Sequence, residues 1–202
     1  MDAFLNGYRE LYARLGKARA RWEDHHGAGS ALFGAVVNAF ERLPALERAI
    51  EGKTYGDALD ETFAERVVGA QFEALDRLFG RLVEECDALE AVARELERVK
   101  TDAWARMRSV DPPPKRAGME RSGPQPSVAE CVLGLEEAWR MHRDESALRR
   151  ELVREARACR DPEELKMLHR LFVAQPNLDP EELKLIADRV PLKNVEASSR
   201  IR

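Results

Sequence analysis

Aromatic residues are scarce in this sequence, at 6% of 202 residues, and glycine (12) and proline (10) are modest in number. That excludes an all-β sandwich or barrel, which needs many turns and aromatic-rich strands. A dominant charge is lacking too: Lys+Arg 33 stand against Asp+Glu 37, a formal net charge of −4. With the two signs interspersed, a general nucleic-acid binder is disfavoured, and no direct nucleic-acid contact is expected. Long hydrophobic runs are missing. The longest charge-free stretch, from His25 to Phe40, carries Gly27, Gly29, Ser30, Gly34 and Asn38, and it is shorter than the ~18–20 apolar residues of a membrane span. The opening residues Met1-Asp2-Ala3-Phe4-Leu5-Asn6 have neither the basic region nor the apolar core of a signal peptide. Cys86, Cys131 and Cys159 are odd in number and widely spaced, so they give no disulfide framework. They read as small buried thiols of a reducing compartment. The expectation is a soluble intracellular protein.

What is present is a 44% apolar, 35% charged chain with enough apolar side chains for a core in one domain or two small ones. Residues 111–126 hold five of the ten prolines. Consecutive prolines remove amide donors and fix φ, so no helix passes through. They form a Pro-rich linker between two helical regions. The fold class expected is all-α: an antiparallel three-helix bundle over 1–110 with one long coiled-coil-like helix, the linker, a small helical region over 127–190 and a frayed tail over 191–202.

In the first helix Phe4, Tyr8, Leu11, Leu15, Ala18 and Trp22 line one face. His25-His26-Gly27-Ala28-Gly29 is expected to break it, and Ser30 to cap a second helix with the stripe Leu32, Val36, Ala39, Leu43, Leu46 and Ile50. Pro44 should kink that helix and Gly52 end it. The third helix carries the strongest pattern. Val68, Phe72, Leu75, Phe79, Leu82, Cys86, Leu89, Ala93 and Leu96 follow steps of four and three without a miss, as in a bundle or coiled-coil helix. Running from Thr62 to about Val110, it would be roughly 70 Å long at 1.5 Å per residue. The first two helices are each about half that length, so part of its seam is left for a partner. Phe72, Leu75, Phe79, Leu82, Leu89 and Leu96 are the candidate partner-binding residues.

Past the linker, Ser127-Val-Ala-Glu130 is a capping box. A helix follows from Val128 and continues to about Cys159. Then Asp161-Pro-Glu-Glu-Leu-Lys166 recurs as Asp179-Pro-Glu-Glu-Leu-Lys184. Each copy puts Asp at the N-cap, Pro at N1 and Glu at N3, so short helices are expected over about 162–174 and 180–189.

Sites for chemistry are few. Gly27-Ala-Gly-Ser30 before a helix could cradle an anion, but it follows no strand and lacks Gly-Lys-Ser/Thr. His25 and His26 have no Cys or further His at ligand spacing, so they read as solvent-exposed. No catalytic residue, cofactor or metal site is expected. Arg150, Arg154 and Arg157, with Arg149 and Arg160 nearby, form a basic stripe diluted by Glu151 and Glu155, which reads as a solvated face, or else as a contact for nucleic acid or an acidic partner. Ser127, Thr62 and Thr54 each have an acid three residues on (Glu130, Glu65 and Asp57), the pattern acidophilic kinases read.

The stretch Pro126-Ser-Val-Ala-Glu-Cys-Val-Leu-Gly-Leu-Glu136, then Met141-His-Arg-Asp-Glu145, Leu171-Phe-Val-Ala-Gln-Pro-Asn177 and Tyr55-Gly56-Asp57 resembles a family of uncharacterised plant proteins. These are similar in turn to the animal AIRIM family, the casein kinase II substrate domain proteins. The resemblance implies a small non-catalytic subunit. It would sit with a second coiled-coil subunit, CINP, on a hexameric pair of AAA+ ATPases of the SPATA type. Maturation of the large ribosomal subunit and replisome proteostasis, in nucleus and cytoplasm, are the roles it implies.

Two further readings stand beside this adaptor. The seam could pair with a second copy, making a homo-oligomeric structural coiled-coil protein. An all-α enzyme would need a nucleophile, a base and an anion hole together, and the sequence supplies no such set.

Overall fold

The computed structural model describes residues 2–51, 61–109 and 126–190. Its elements are α1 (Asp2–Glu51), α2 (Glu61–Arg108), α3 (Val128–Ala158), α4 (Pro162–Ala174) and α5 (Pro180–Asp188), with no strand among the described residues. The fold is all-α, as the sequence implies. Gly52, the Pro-rich stretch up to residue 125 and the tail from residue 191 lie outside the described residues.

The expected break after Trp22 is corrected. α1 runs without interruption through His25-His26-Gly27-Ala28-Gly29, so the described part of residues 1–110 holds two helices, not three. The reason is phase. Trp22 continues through His26 and Gly29 to Phe33, Val36, Phe40 and Leu43 in steps of four and three. The two stripes therefore share one face. Two interior glycines cost about 1 kcal/mol each relative to alanine, whereas one large apolar side chain contributes about 1.5–3 kcal/mol on burial. Trp22, Phe33 and Val36 are all fully buried. Ser30 is consequently inside the helix and caps nothing; its hydroxyl donates toward Nδ1 of His26 at 3.4 Å. Pro44 also lies inside α1.

α3 starts on the complete capping box. Glu130 Oε2 accepts from the Ser127 amide at 2.8 Å, and the Glu130 amide donates to Ser127 Oγ at 3.2 Å. α4 and α5 start as the repeat dictates: Asp161 accepts the Glu163 amide, and Asp179 accepts the amides of Glu181 and Glu182. The reciprocal half differs from expectation. Glu164 receives the Cys159 thiol, and Glu182 receives Arg189. α4 ends at Gln175, whose φ of 50° is a left-handed C-cap.

The chain packs into two compact units. The first comprises Met1–Trp22, Ala91–Glu145 and Asn177–Arg202, the second Glu23–Glu90 and Ser146–Pro176. In the first, the start of α1 runs antiparallel to the end of α2: Tyr8 donates to the Ala103 carbonyl, Arg14 pairs with Asp102, and Arg21 pairs with Glu95. The Tyr12 hydroxyl donates to the Cys131 carbonyl at 3.1 Å, which ties α3 to α1. Gly134 of α3 lets α5 approach. A Cβ there would lie 2.9 Å from Arg189 Nη1 and 3.3 Å from Ile186 Cγ2. In the second unit, Phe33 and Val36 of α1, Leu82 and Cys86 of α2, Val153 of α3 and Leu165 and Phe172 of α4 belong to one apolar cluster.

Candidate functional site

The structure encloses most of the expected seam. Leu75, Phe79, Leu82, Leu89 and Leu96 are buried. In the second unit the cover comes from this chain's own α1, α3 and α4. α3 and α4 take the room that the first two helices could not fill. Phe72 is the one of the six seam candidates that stays open, at 53% exposure. Ser127 is buried, and its hydroxyl donates to Glu130 Oε2 at 2.9 Å. Thr54 and the side chain of Thr62 lie outside the described residues.

α3 carries a polar stripe that sequence reasoning passed over. Cys131, Leu135, Ala138, His142, Glu145, Arg149, Leu152 and Ala156 follow steps of four and three, so three polar residues occupy consecutive seam positions. All three are buried, Glu145 and Arg149 to 0% exposure. That periodicity was the available signal. Buried polar groups require partners. In the first unit His142 Nδ1 donates to the Ala138 carbonyl at 2.7 Å, and its ring stands edge-on to Trp22. Glu145 Oε2 accepts both the backbone amide and the side-chain amide of Asn177. In the second unit Arg149 Nη2 donates to the Phe172 carbonyl at 3.0 Å and to His26 Nδ1 at 2.8 Å, with its guanidinium over the Phe172 ring. The Phe172 carbonyl is among the last four of α4, where a cation suits both the unpaired acceptors and the helix dipole.

These positions correct two expectations. Arg149 belongs to the core, not to the basic stripe. Its neighbours on the stripe are paired at the surface, Arg150 with Asp87 and Glu90, Arg154 with Glu151 and Arg157 with Asp76. The two histidines are half-buried, not solvent-exposed: His25 Nδ1 lies 2.8 Å from Glu85, and His26 accepts from Arg149. Gly27 to Ser30 lie mid-helix, so their amides are not the free donors an anion cradle needs.

Burial shifts several of the titratable groups. Burial, then the Arg149 charge, pushes His26 down to about 4. Burial does the same for His142, against the opposing pull of the Ala138 hydrogen bond. Burial pushes the Cys86 and Cys131 thiols up to about 11, and raises that of Cys159. Among the described residues no group of three His, Cys, Asp or Glu could hold a metal ion. Nor is any helix among them long and apolar enough to cross a membrane.

The surface also carries apolar side chains. Among the described residues, Phe72 and Val83 of α2, Leu133 of α3, Met167, Leu171 and Val173 of α4 and Leu185 of α5 are large and exposed. In the first unit, Lys100 sits 3.5 Å over the Trp139 ring and Trp104 donates to Glu136.

Residues 2–195 match the model of the ribosome biogenesis protein C1orf109-like family. The chain belongs to that family. No curated protein matches it. The C1orf109-like match spans all five helices and the segments between them. Membership places the chain among ribosome biogenesis proteins, in line with the ribosome-maturation side of the resemblance. Among the described residues, this C1orf109-like chain leaves seven large apolar side chains of α2 to α5 exposed.

Proposed function

We propose that this C1orf109-like chain is a non-catalytic adaptor subunit in maturation of the large ribosomal subunit. In this reading it joins a second helical subunit to a AAA+ ATPase, and works in the nucleus and the cytoplasm. One observation carries the adaptor part. The groups that could do chemistry are engaged in holding the fold, while large apolar side chains on four helices are left in solvent. His26 and Arg149 are tied to each other across two helices, His142 to the Ala138 carbonyl of its own helix, and Glu145 to Asn177 in the turn between α4 and α5. Phe72, Leu133, Met167 and Leu185 are each more than half exposed. Exposed large apolar groups on a folded chain favour association with another protein. Family membership supports the ribosomal setting.

The test is affinity purification of tagged full-length protein from its native cells with mass spectrometry of what accompanies it. Near-stoichiometric recovery of a AAA+ ATPase and a second small helical protein, with large-subunit precursors accumulating on depletion, is the expected result. Recovery of the bait alone overturns the adaptor reading.

A further inference from the structure

We propose that α5 is a displaceable strap. It leaves and returns as one piece while the α1, α2 and α3 parts of the first unit stay folded, and it keeps a helix-sized seat on α1 and α3 closed. This goes beyond the adaptor reading and does not depend on it. The seat is shaped to a helix. A Cβ at Gly134 of α3 would meet Arg189 Nη1 at 2.9 Å, the Tyr12 hydroxyl at 3.1 Å and Ile186 Cγ2 at 3.3 Å. Groups from α1 and from α5 and its C-cap thus converge on the space that this glycine leaves open. α5 buries Leu183 and Ile186, and Val190 is buried just past its end. Tyr12 is 3% exposed with α5 in place.

What holds α5 is slight beside what holds its neighbours. In this unit α1 and α2 are joined by ion pairs of Arg14 with Asp102, Arg21 with Glu95 and Arg106 with Glu10. α2 buries Val92, Ala93, Leu96, Val99 and Ala103 here. The acids and the lysine of α5 make no ion pair to another element among the described residues; Glu182 pairs with Arg189, its own C-cap. Two polar ties reach outward. Arg19 Nη1 donates to the Leu183 carbonyl at 3.3 Å and Arg189 Nη1 to the Glu130 carbonyl at 3.2 Å, both at the long end of the usual range. A segment with so few buried contacts opens at a lower free energy than the whole. Nine residues are also fewer than the ~12–15 a helix needs to persist alone in water. An undocked α5 is therefore unfolded, and its release is all or none. The pivot stays fixed. Asn177, two residues before the Asp179 cap, donates its backbone and side-chain amides to Oε2 of the buried Glu145 at 3.0 and 3.2 Å.

The test is hydrogen exchange of the full-length chain in a series of low urea concentrations, read by mass spectrometry on overlapping peptides. The hydrogen-bonded amides from Leu183 to Arg189 should exchange at one shared rate, about tenfold or more faster than those of Leu96 to Ala103 in α2. That rate should depend little on urea, because the opening exposes a small area. Ile186→Ala removes buried volume from α5, and Gly134→Val fills the seat from the other side. Each should raise the α5 rate by about a further tenfold, and hydroxyl-radical labelling of Tyr12 with it, while α2 keeps its wild-type rate. Exchange of α5 in step with α2, in the wild type or in both variants, overturns the strap. So does a rate that climbs steadily toward Val190, which is end fraying, or labelling of Tyr12 that does not follow α5.

Discussion

Arg149 Nη2 stands 2.8 Å from Nδ1 of His26, a donor and an acceptor 123 positions apart that meet inside the second unit. The bond requires a lone pair on Nδ1, so the ring is neutral with its proton on Nε2. A fixed cation beside it and burial around it act in the same direction, and together hold the imidazole uncharged.

Removing Arg149 should be among the most damaging single changes in the second unit. Arg149→Ala deletes hydrogen bonds to the Phe172 carbonyl and His26, the contact over the Phe172 ring, and a large buried volume. Hydrogen bonds from a charged group contribute about 1.5–3 kcal/mol, and a cavity adds to that. A loss of about 3–4 kcal/mol in urea denaturation is expected. Arg149→Lys should recover less than half of it, because an ammonium lacks the flat guanidinium that lies over the Phe172 ring while Nη2 serves both acceptors. Wild-type stability in either variant would refute the assignment.

Acid should weaken the fold through its histidines. His26 and His142 titrate near 4 when folded and near 6.5 when unfolded. Between those values the unfolded chain binds more protons. Their contribution is therefore fully present above about pH 6.5 and declines as pH falls toward about 4. The thermal midpoint should drop across that window, and His26→Gln should flatten the dependence relative to wild type. Parallel curves for the two proteins would count against His26.

Glycines separate into two kinds. A Cβ at Gly16, Gly27 or Gly80 meets nothing within 4 Å. Replacement by Ala at each should stabilise by about 0.5–1 kcal/mol, the usual helix-interior difference. At Gly29 a Cβ would lie 3.1 Å from Phe172 Cζ and 3.2 Å from Cε1. There the ring must shift, so Gly29→Ala should gain nothing, and Gly29→Leu should lose about 2 kcal/mol. Thermal melts of the set give the answer, and a stabilised Gly29→Leu would contradict the packing.

The three thiols should be silent in the native state. All are buried and free, and burial raises each one above its ordinary thiol value. Thiolate is the reactive form. An aromatic disulfide reagent at about pH 8 should therefore modify them only as fast as the protein opens, and all at once in denaturant. A single fast thiol in the folded protein would show a site that the structure does not contain.

The legible parts of the fold were those with a local physical cause. The unbroken four-three run of α2 and the Asp-Pro-Glu-Glu starts of α4 and α5 each fix an element without help from distant residues. Gly27 and Gly29 misled, because local propensity favours a break while the shared phase of Trp22 and Phe33 favours continuity. Only packing decides that contest. Arg149 was hidden by its neighbour Arg150, which carries the same charge and faces solvent. The candidate interaction surface was the least legible part. An apolar seam looks the same in sequence whether α3 and α4 cover it or a partner does. Periodicity selected Phe72 along with Leu82 and Leu89, and only the first stays open.

The make-up of the two units has a consequence for biosynthesis. The first unit needs α5, where the Leu183 carbonyl accepts from Arg19 of α1 and Ile186 lies beside Gly134 of α3, and the second needs Leu165 and Phe172 of α4 in one cluster with Phe33. Neither can close until nearly all of the 202 residues have been translated. Most helical proteins gain their contacts locally and fold early. Here α1 and α2 emerge first and hold Trp22, Phe33, Leu82 and Leu89 uncovered during synthesis of α3, α4 and α5, an interval of several seconds at about 5–20 residues per second. A nascent chain in that state is a natural client for a ribosome-bound chaperone.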